Sequence, residues 1–227
     1  MPQVRVLRVF TDEHGRYGNP LGVVLDPSGL GPDDRQALAT RLGYSETVFV
    51  DDLPAARVQI FTPASEIRFA GHPLVGVSWL LAQESGQPPS TLRPVRVATP
   101  VATFAVDGTT WIRGSVADAP AWEHVQLASA AEVAAVDPAA AGGIQRKTQV
   151  WAWLDKAAGT VRARTFGQDF GVPEDEACGS ATLMLAERIG RSLSVYHGRG
   201  SVVLARPIGA GTAEVGGRVA DDGTVTA

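Results

Sequence analysis

One phrase is written twice in this chain, and each copy opens into an apolar helix. Glu66-Ile67-Arg68-Phe69-Ala70-Gly71-His72-Pro73 precedes Leu74, Val75 and Val77; Glu174-Asp175-Glu176-Ala177-Cys178-Gly179-Ser180-Ala181 precedes Leu183 and Leu185. A shift of 179 − 71 = 108 positions lays Glu66 on Glu174, Ala70 on Cys178, Gly71 on Gly179 and His72 on Ser180. A repeat near half of the 227 residues predicts two copies of one domain. The first helix, read over Pro73 to Gln83, is apolar on every face, and such a helix has to be wrapped by other structure. The second, over Ala181 to Ile189, carries charge only at Glu187 and Arg188 in its last turn.

The rest of the chain reads as short strands. Val4–Phe10, Leu21–Leu25, Thr47–Val50 and Val58–Phe61 come first, with an amphipathic helix over Pro32 to Leu42 closed by Gly43. Val95–Val97, Thr103–Val106 and Trp111–Arg113 follow the loop Ser85–Ser90. Ala119-Pro120 reads as a linker, Ala128–Val136 as a short helix and Asp137–Gly143 as an Ala/Gly/Pro loop. Gln149–Leu154 and Val161–Phe166 alternate around a turn at Lys156–Gly159, and Ser194–Tyr196, Ser201–Leu204 and Ala213–Val219 end the chain. Two buried helices among short strands predict an α+β fold with a mostly antiparallel sheet curled around each helix. The predicted domains are 1–118 and a shorter 119–227 whose last strands return to the first.

The first turn of a helix carries unpaired N–H groups and the positive end of the dipole, so both helix starts attract anions. The single cysteine, Cys178, lies just before one of them, where a thiolate would be stabilised. A net charge of −4 offers no basic footprint for nucleic acid, and no apolar run approaches the roughly 20 residues that span a membrane. One cysteine excludes an intrachain disulfide and makes a cytoplasmic location the default. Met1 to Phe10 reads as a strand and not as a signal peptide. His14, His124 and His197 share no metal-ligand spacing with each other or with Cys178, so no metal is expected.

Gly18-Asn19-Pro20, Ser45-Glu46-Thr47, Phe69-Ala70-Gly71-His72-Pro73, Arg164-Thr165-Phe166, and Glu174-Asp175 followed by Gly179-Ser180-Ala181 resemble, in this order, the motifs of the PhzF-like family of phenazine biosynthesis isomerases. The resemblance implies the diaminopimelate-epimerase fold, with an active site in the cleft between the two domains, facing both helix starts. It implies Glu46 as general acid/base with His72 and Asp175 as catalytic partners. Asn19, Gly71, Gly179, Ser180 and Cys178 would surround a small carboxylate metabolite. No cofactor is implied, and the family's homodimer is, although no stretch marks an interface. A carboxylate in a dry cleft can take and return a proton, and helix N–H groups can meet an enolate-like charge.

The chain departs from the family in two places. It is short between Ala119 and Val161, where the second domain would shape the substrate. It also has Cys178 where the family has threonine or another small residue; related epimerases and racemases have a catalytic cysteine there, but their partner cysteine falls on Ala70. A single-cysteine epimerase or dehydratase, and a non-catalytic binding protein that keeps the cleft, are the alternatives to the isomerase. Read residue by residue, Asn19 also suits a turn, Asp175 a cap on the second helix and Cys178 a small buried hydrophobe.

Overall fold

The computed structural model describes residues 2–138 and 147–227. Its strands are β1 (Gln3–Thr11), β2 (Asn19–Val24), β3 (Glu46–Asp52), β4 (Arg57–Phe61), β5 (Glu66–Ile67), β6 (Thr91–Pro94), β7 (Val101–Val106), β8 (Thr109–Ser115), β9 (Glu123–Gln126), β10 (Thr148–Asp155), β11 (Thr160–Gly167), β12 (Val172–Asp175), β13 (Leu193–His197), β14 (Ser201–Gly209) and β15 (Thr212–Thr226). The helices are α1 (Pro32–Leu42), α2 (Gly71–Ser85), α3 (Ala130–Ala135) and α4 (Gly179–Ile189).

Connection order repeats as the motif does. In the first half β2–α1–β3 and β4–α2–β6 each join parallel neighbours across a helix; in the second half β9–α3–β10 and β11–α4–β13 do the same. Parallel strands need such a crossover, and the other pairings are antiparallel. A hairpin then follows in each half, β7–β8 and β14–β15.

β15 joins the halves. Its residues Thr212–Gly217 pair with β8, and the stretch from Arg218 onward pairs with β1. The pairings β1-β2-β3-β4-β6-β7-β8-β15 therefore close on themselves, and α2 packs against β1, β2, β3, β8 and β15. That enclosure answers the apolar surface of α2, whose Leu74, Val75, Val77, Leu80 and Leu81 are all buried. α4 packs instead on an open run, β15-β14-β13-β11-β10-β9, chiefly on β14 and β15. One apolar cluster spans the halves, joining Leu7, Leu21 and Ile60 to Leu183, Val203 and Val215. A second, around Trp151, Val161, Leu185 and Val195, lies under α4.

Three local expectations are corrected. Val95–Val97 is a turn, not a strand. The strand lies earlier, at Thr91–Pro94, because Pro94 has no N–H to continue a ladder and its carbonyl accepts the Val97 N–H at 3.1 Å. β5, β9 and β12 are too short to show an alternating pattern in the sequence. Asn19 is the first residue of β2, opposite Val9; Tyr17 and Gly18, both at positive φ, make the turn before it. The loop expected over Asp137–Gly143 lies largely outside the described residues. Among the described residues, no helix is long and apolar enough to cross a membrane.

Candidate active site

α2 begins at Gly71 and α4 at Gly179, and the two starts touch through their backbones. A Cβ on Gly71 would lie 2.8 Å from the Gly179 carbonyl carbon, and one on Gly179 would lie 2.8 Å from the His72 nitrogen. Only glycine permits that approach. Neither start has a side-chain cap: Ala70 and Cys178 hold the capping positions without a capping hydrogen bond, and neither first turn contains an acidic residue. The helices thus bring two sets of first-turn N–H groups to one place.

Four segments feed side chains into that place. Glu46 opens β3 and its Oε2 lies 2.7 Å from Nδ1 of His72, which is buried in the first turn of α2. His72 Nε2 lies 3.1 Å from the Asn19 carbonyl oxygen. The Asn19 amide donates to Asp175 Oδ1 at 2.5 Å and to the Ala177 carbonyl at 3.2 Å. Ser45 Oγ donates to Asn19 Oδ1 at 3.1 Å. Asp175 ends β12, opposite Thr165 of β11.

Burial governs the electrostatics. Desolvation, with the neighbouring Glu46 charge, pushes the Asp175 carboxyl up to about 6, against the pull of His72, the Cys178 thiol and the backbone at Ala177. Desolvation likewise pushes the Cys178 thiol well above its ordinary value, reinforced by the Asp175 charge. The helix start does not yield a thiolate there, because lost hydration and a carboxylate neighbour outweigh the dipole. Cys178 packs with Trp122 and Ala181 as a small apolar group. Asp175 does not cap α4: it is engaged by Asn19, and Cys178 holds the capping position.

Two participants carry no motif. Trp122 Nε1–H donates to Ser180 Oγ at 2.9 Å, and its ring lies 5.8 Å from that of Phe170. Phe10 sits at φ 70° at a bulge in β1, with its ring 6.2 Å from His72. A bulky residue at positive φ is an outlier of the kind that functional sites hold. An aromatic just after the Ala119-Pro120 linker was the only trace of Trp122 in the sequence; Phe10 left none. The cavity among Ser45, Glu46, Ala70, Trp122, Phe170 and Asp175 measures about 20 Å³, room for about one water.

His124 and His197 are held by the scaffold. His124 Nε2–H donates to the Ala181 carbonyl at 2.9 Å, and burial lowers its basicity. His197 is buried against Thr182 and pushed down to about 3 by desolvation. Among the described residues, no group of three or more His, Cys, Asp or Glu side chains is placed to hold a metal ion.

Comparison with known proteins agrees with the motifs. The family model described as phenazine biosynthesis-like protein matches residues 7–110. An uncharacterized isomerase of Mesorhizobium japonicum is 49% identical over 83 residues, which is 35% of this chain and 27% of that protein. The trans-2,3-dihydro-3-hydroxyanthranilate isomerase of Pseudomonas aeruginosa is 27% identical over 216 residues, 80% of this chain and 78% of the relative. The crystal structure of a PhzF family protein from Enterococcus faecalis superposes with a TM-score of 0.76 at 18% identity, covering 100% of this chain and 99% of that one. These relatives carry isomerase or phenazine-biosynthesis names, and the fold is that of the Enterococcus faecalis structure along the whole chain.

Proposed function

We propose that this chain, a relative of the PhzF-like isomerases, is an isomerase that moves a proton on a small carboxylate without a cofactor. The two halves, 1–118 and 119–227, supply one helix start each. The observation that carries the reading is the buried Glu46–His72 contact at 2.7 Å, set beside Asp175 at the meeting of two uncapped helix starts. Glu46, with His72 behind it, takes a proton from one carbon and returns it to another, so substrate and product differ only in where hydrogen and double bond lie. The first-turn N–H groups face the substrate carboxylate and the enolate-like charge of the transition state, where fixed donors act most strongly. The cavity holds about one water, so a substrate enters only once the residues that line it part.

The buried, protonated Cys178 argues against a thiol-based epimerase or dehydratase. A cavity of about 20 Å³ is too small for a substrate or for a bound ligand, so its size does not separate the isomerase from a non-catalytic binding protein. One comparison decides between them. The parent and Glu46→Gln are incubated in deuterated water with trans-2,3-dihydro-3-hydroxyanthranilate and a panel of small carboxylates. Deuterium uptake, ligand binding and thermal midpoint are then measured. The parent exchanges; Glu46→Gln loses about 10²–10⁴-fold in rate while ligand binding persists. Turnover within a few-fold of the parent removes Glu46 from the mechanism.

A further inference from the structure

We infer that Asn19 is a positioning residue that sets how many protons the site holds. Its main-chain carbonyl keeps a proton on His72 Nε2, so that the Glu46–His72 contact encloses one proton, and its side-chain amide keeps Asp175 in the role of acceptor. The inference takes its catalytic meaning from the isomerase reading above, but its test does not depend on turnover.

The argument runs on donor and acceptor identity. A carbonyl oxygen can only accept, so the 3.1 Å contact between His72 Nε2 and the Asn19 oxygen requires hydrogen on Nε2. A neutral imidazole then has a bare Nδ1. A bare Nδ1 and an ionised Glu46 are both acceptors and would repel at 2.7 Å. One proton therefore lies between them, as imidazolium with carboxylate or as imidazole with carboxylic acid. In either form the pair is neutral and loaded.

The same logic orients the Asn19 amide. Its nitrogen faces two acceptors, Asp175 Oδ1 at 2.5 Å and the Ala177 carbonyl at 3.2 Å. A flipped amide would set oxygen against oxygen at both. Its Oδ1 then receives the Ser45 hydroxyl at 3.1 Å, so every polar atom of this side chain is used inside the protein. Asn19 is 1% exposed, and both polar atoms of its side chain are engaged within the protein. Its contacts within the protein suit a positioning role beside the substrate contact that the family motif suggests. It ties the loaded pair on β3 and α2 to the acceptor on β12, across 156 positions of chain. A donor to an ionised carboxylate favours the charged form. The titratable groups that face Asp175 are Glu46 from β3, His72 from α2 and Cys178 ahead of α4.

The test is NMR of the whole protein without ligand, with ¹⁵N-labelled histidine and ¹³C-labelled aspartate, on the parent and on Asn19→Ala. The alanine variant keeps the carbonyl to His72 and removes the Asn19 donor to Asp175, leaving the Ser45 hydroxyl at 3.4 Å, the Cys178 thiol and the backbone at Ala177. The parent is expected to show a hydrogen-bearing His72 Nε2 at pH 7.5. In Asn19→Ala that signal persists, while the Asp175 titration midpoint rises by about one pH unit, tenfold in proton affinity. A bare Nε2 in the parent overturns the inference, and so does an Asp175 midpoint that stays or falls in the variant. Loss of thermal stability without a shifted midpoint would mark Asn19 as merely structural and also overturns it. Should Asn19→Ala fail to fold, the His72 spectrum of the unaltered protein still decides. Failure of the Glu46→Gln comparison, by contrast, removes the isomerase reading and leaves these spectra unaffected.

Discussion

Replacing Asp175 by asparagine should make this protein more stable at neutral pH and less stable in no part of the pH range above about 4. The carboxyl has an ordinary value of 3.8 and is raised to about 6 in the fold, so the native state binds its proton more tightly than the unfolded chain. Below 3.8 the group is neutral in both states and costs nothing. As pH rises from 3.8 to 6 the unfolded chain ionises first, and native stability falls. Above 6 the full cost is present: 6 − 3.8 = 2.2 units at 1.36 kcal/mol each, or about 3 kcal/mol. Asparagine keeps an oxygen to accept the Asn19 amide and never ionises. For a chain of this size, about 3 kcal/mol corresponds to a thermal midpoint some ~6–12 °C higher at pH 7.5. The assay is thermal unfolding of both proteins by circular dichroism from pH 3.5 to 8. The midpoints should diverge as pH rises through the window and converge at its acid end. A lower midpoint for Asp175→Asn at pH 7.5, or a gap that does not change with pH, would refute the claim that desolvation controls this group. Activity should fall in the same variant, since a group held at a cost to stability is the kind that function retains.

Further expectations concern the helix starts and the thiol. Gly71→Ala places a Cβ 2.8 Å from backbone that has no side-chain freedom to yield, so the two helix starts must part. Although alanine is the better helix former by about 1 kcal/mol, a net loss of about 1–3 kcal/mol is expected, read as a thermal midpoint about 2–12 °C lower; an unchanged midpoint would contradict the backbone contact. Cys178→Thr should leave turnover within several-fold, and iodoacetamide should label the native parent slowly, because its thiol is buried and protonated. Near-complete loss of activity in a folded Cys178→Thr would return the thiol to the mechanism.

The sequence by itself determined the elements whose signals are local. The apolar surface of α2 demanded a wrapping, and the repeat placed both helix starts within two residues of Gly71 and Gly179; that only glycine fits where they meet is visible in the fold alone. Motif order also drew attention to Glu46, His72, Asp175 and Ser180, which the fold brings together. Only the tertiary structure decided the rest. β15 closes the strand circuit around α2 by pairing with β1 from the far end of the chain, and no window of neighbouring residues contains that pairing. Asn19 suits a turn when read locally; as the first residue of β2 it becomes the tie between His72 and Asp175. Trp122 reaches Ser180 across 58 positions. Cys178 shows the physical reason most plainly. Its position before a helix start is visible in the sequence and argues for a thiolate. Its protonation depends on how much water the fold removes and on which charge stands beside it, and both are set by residues distant in sequence.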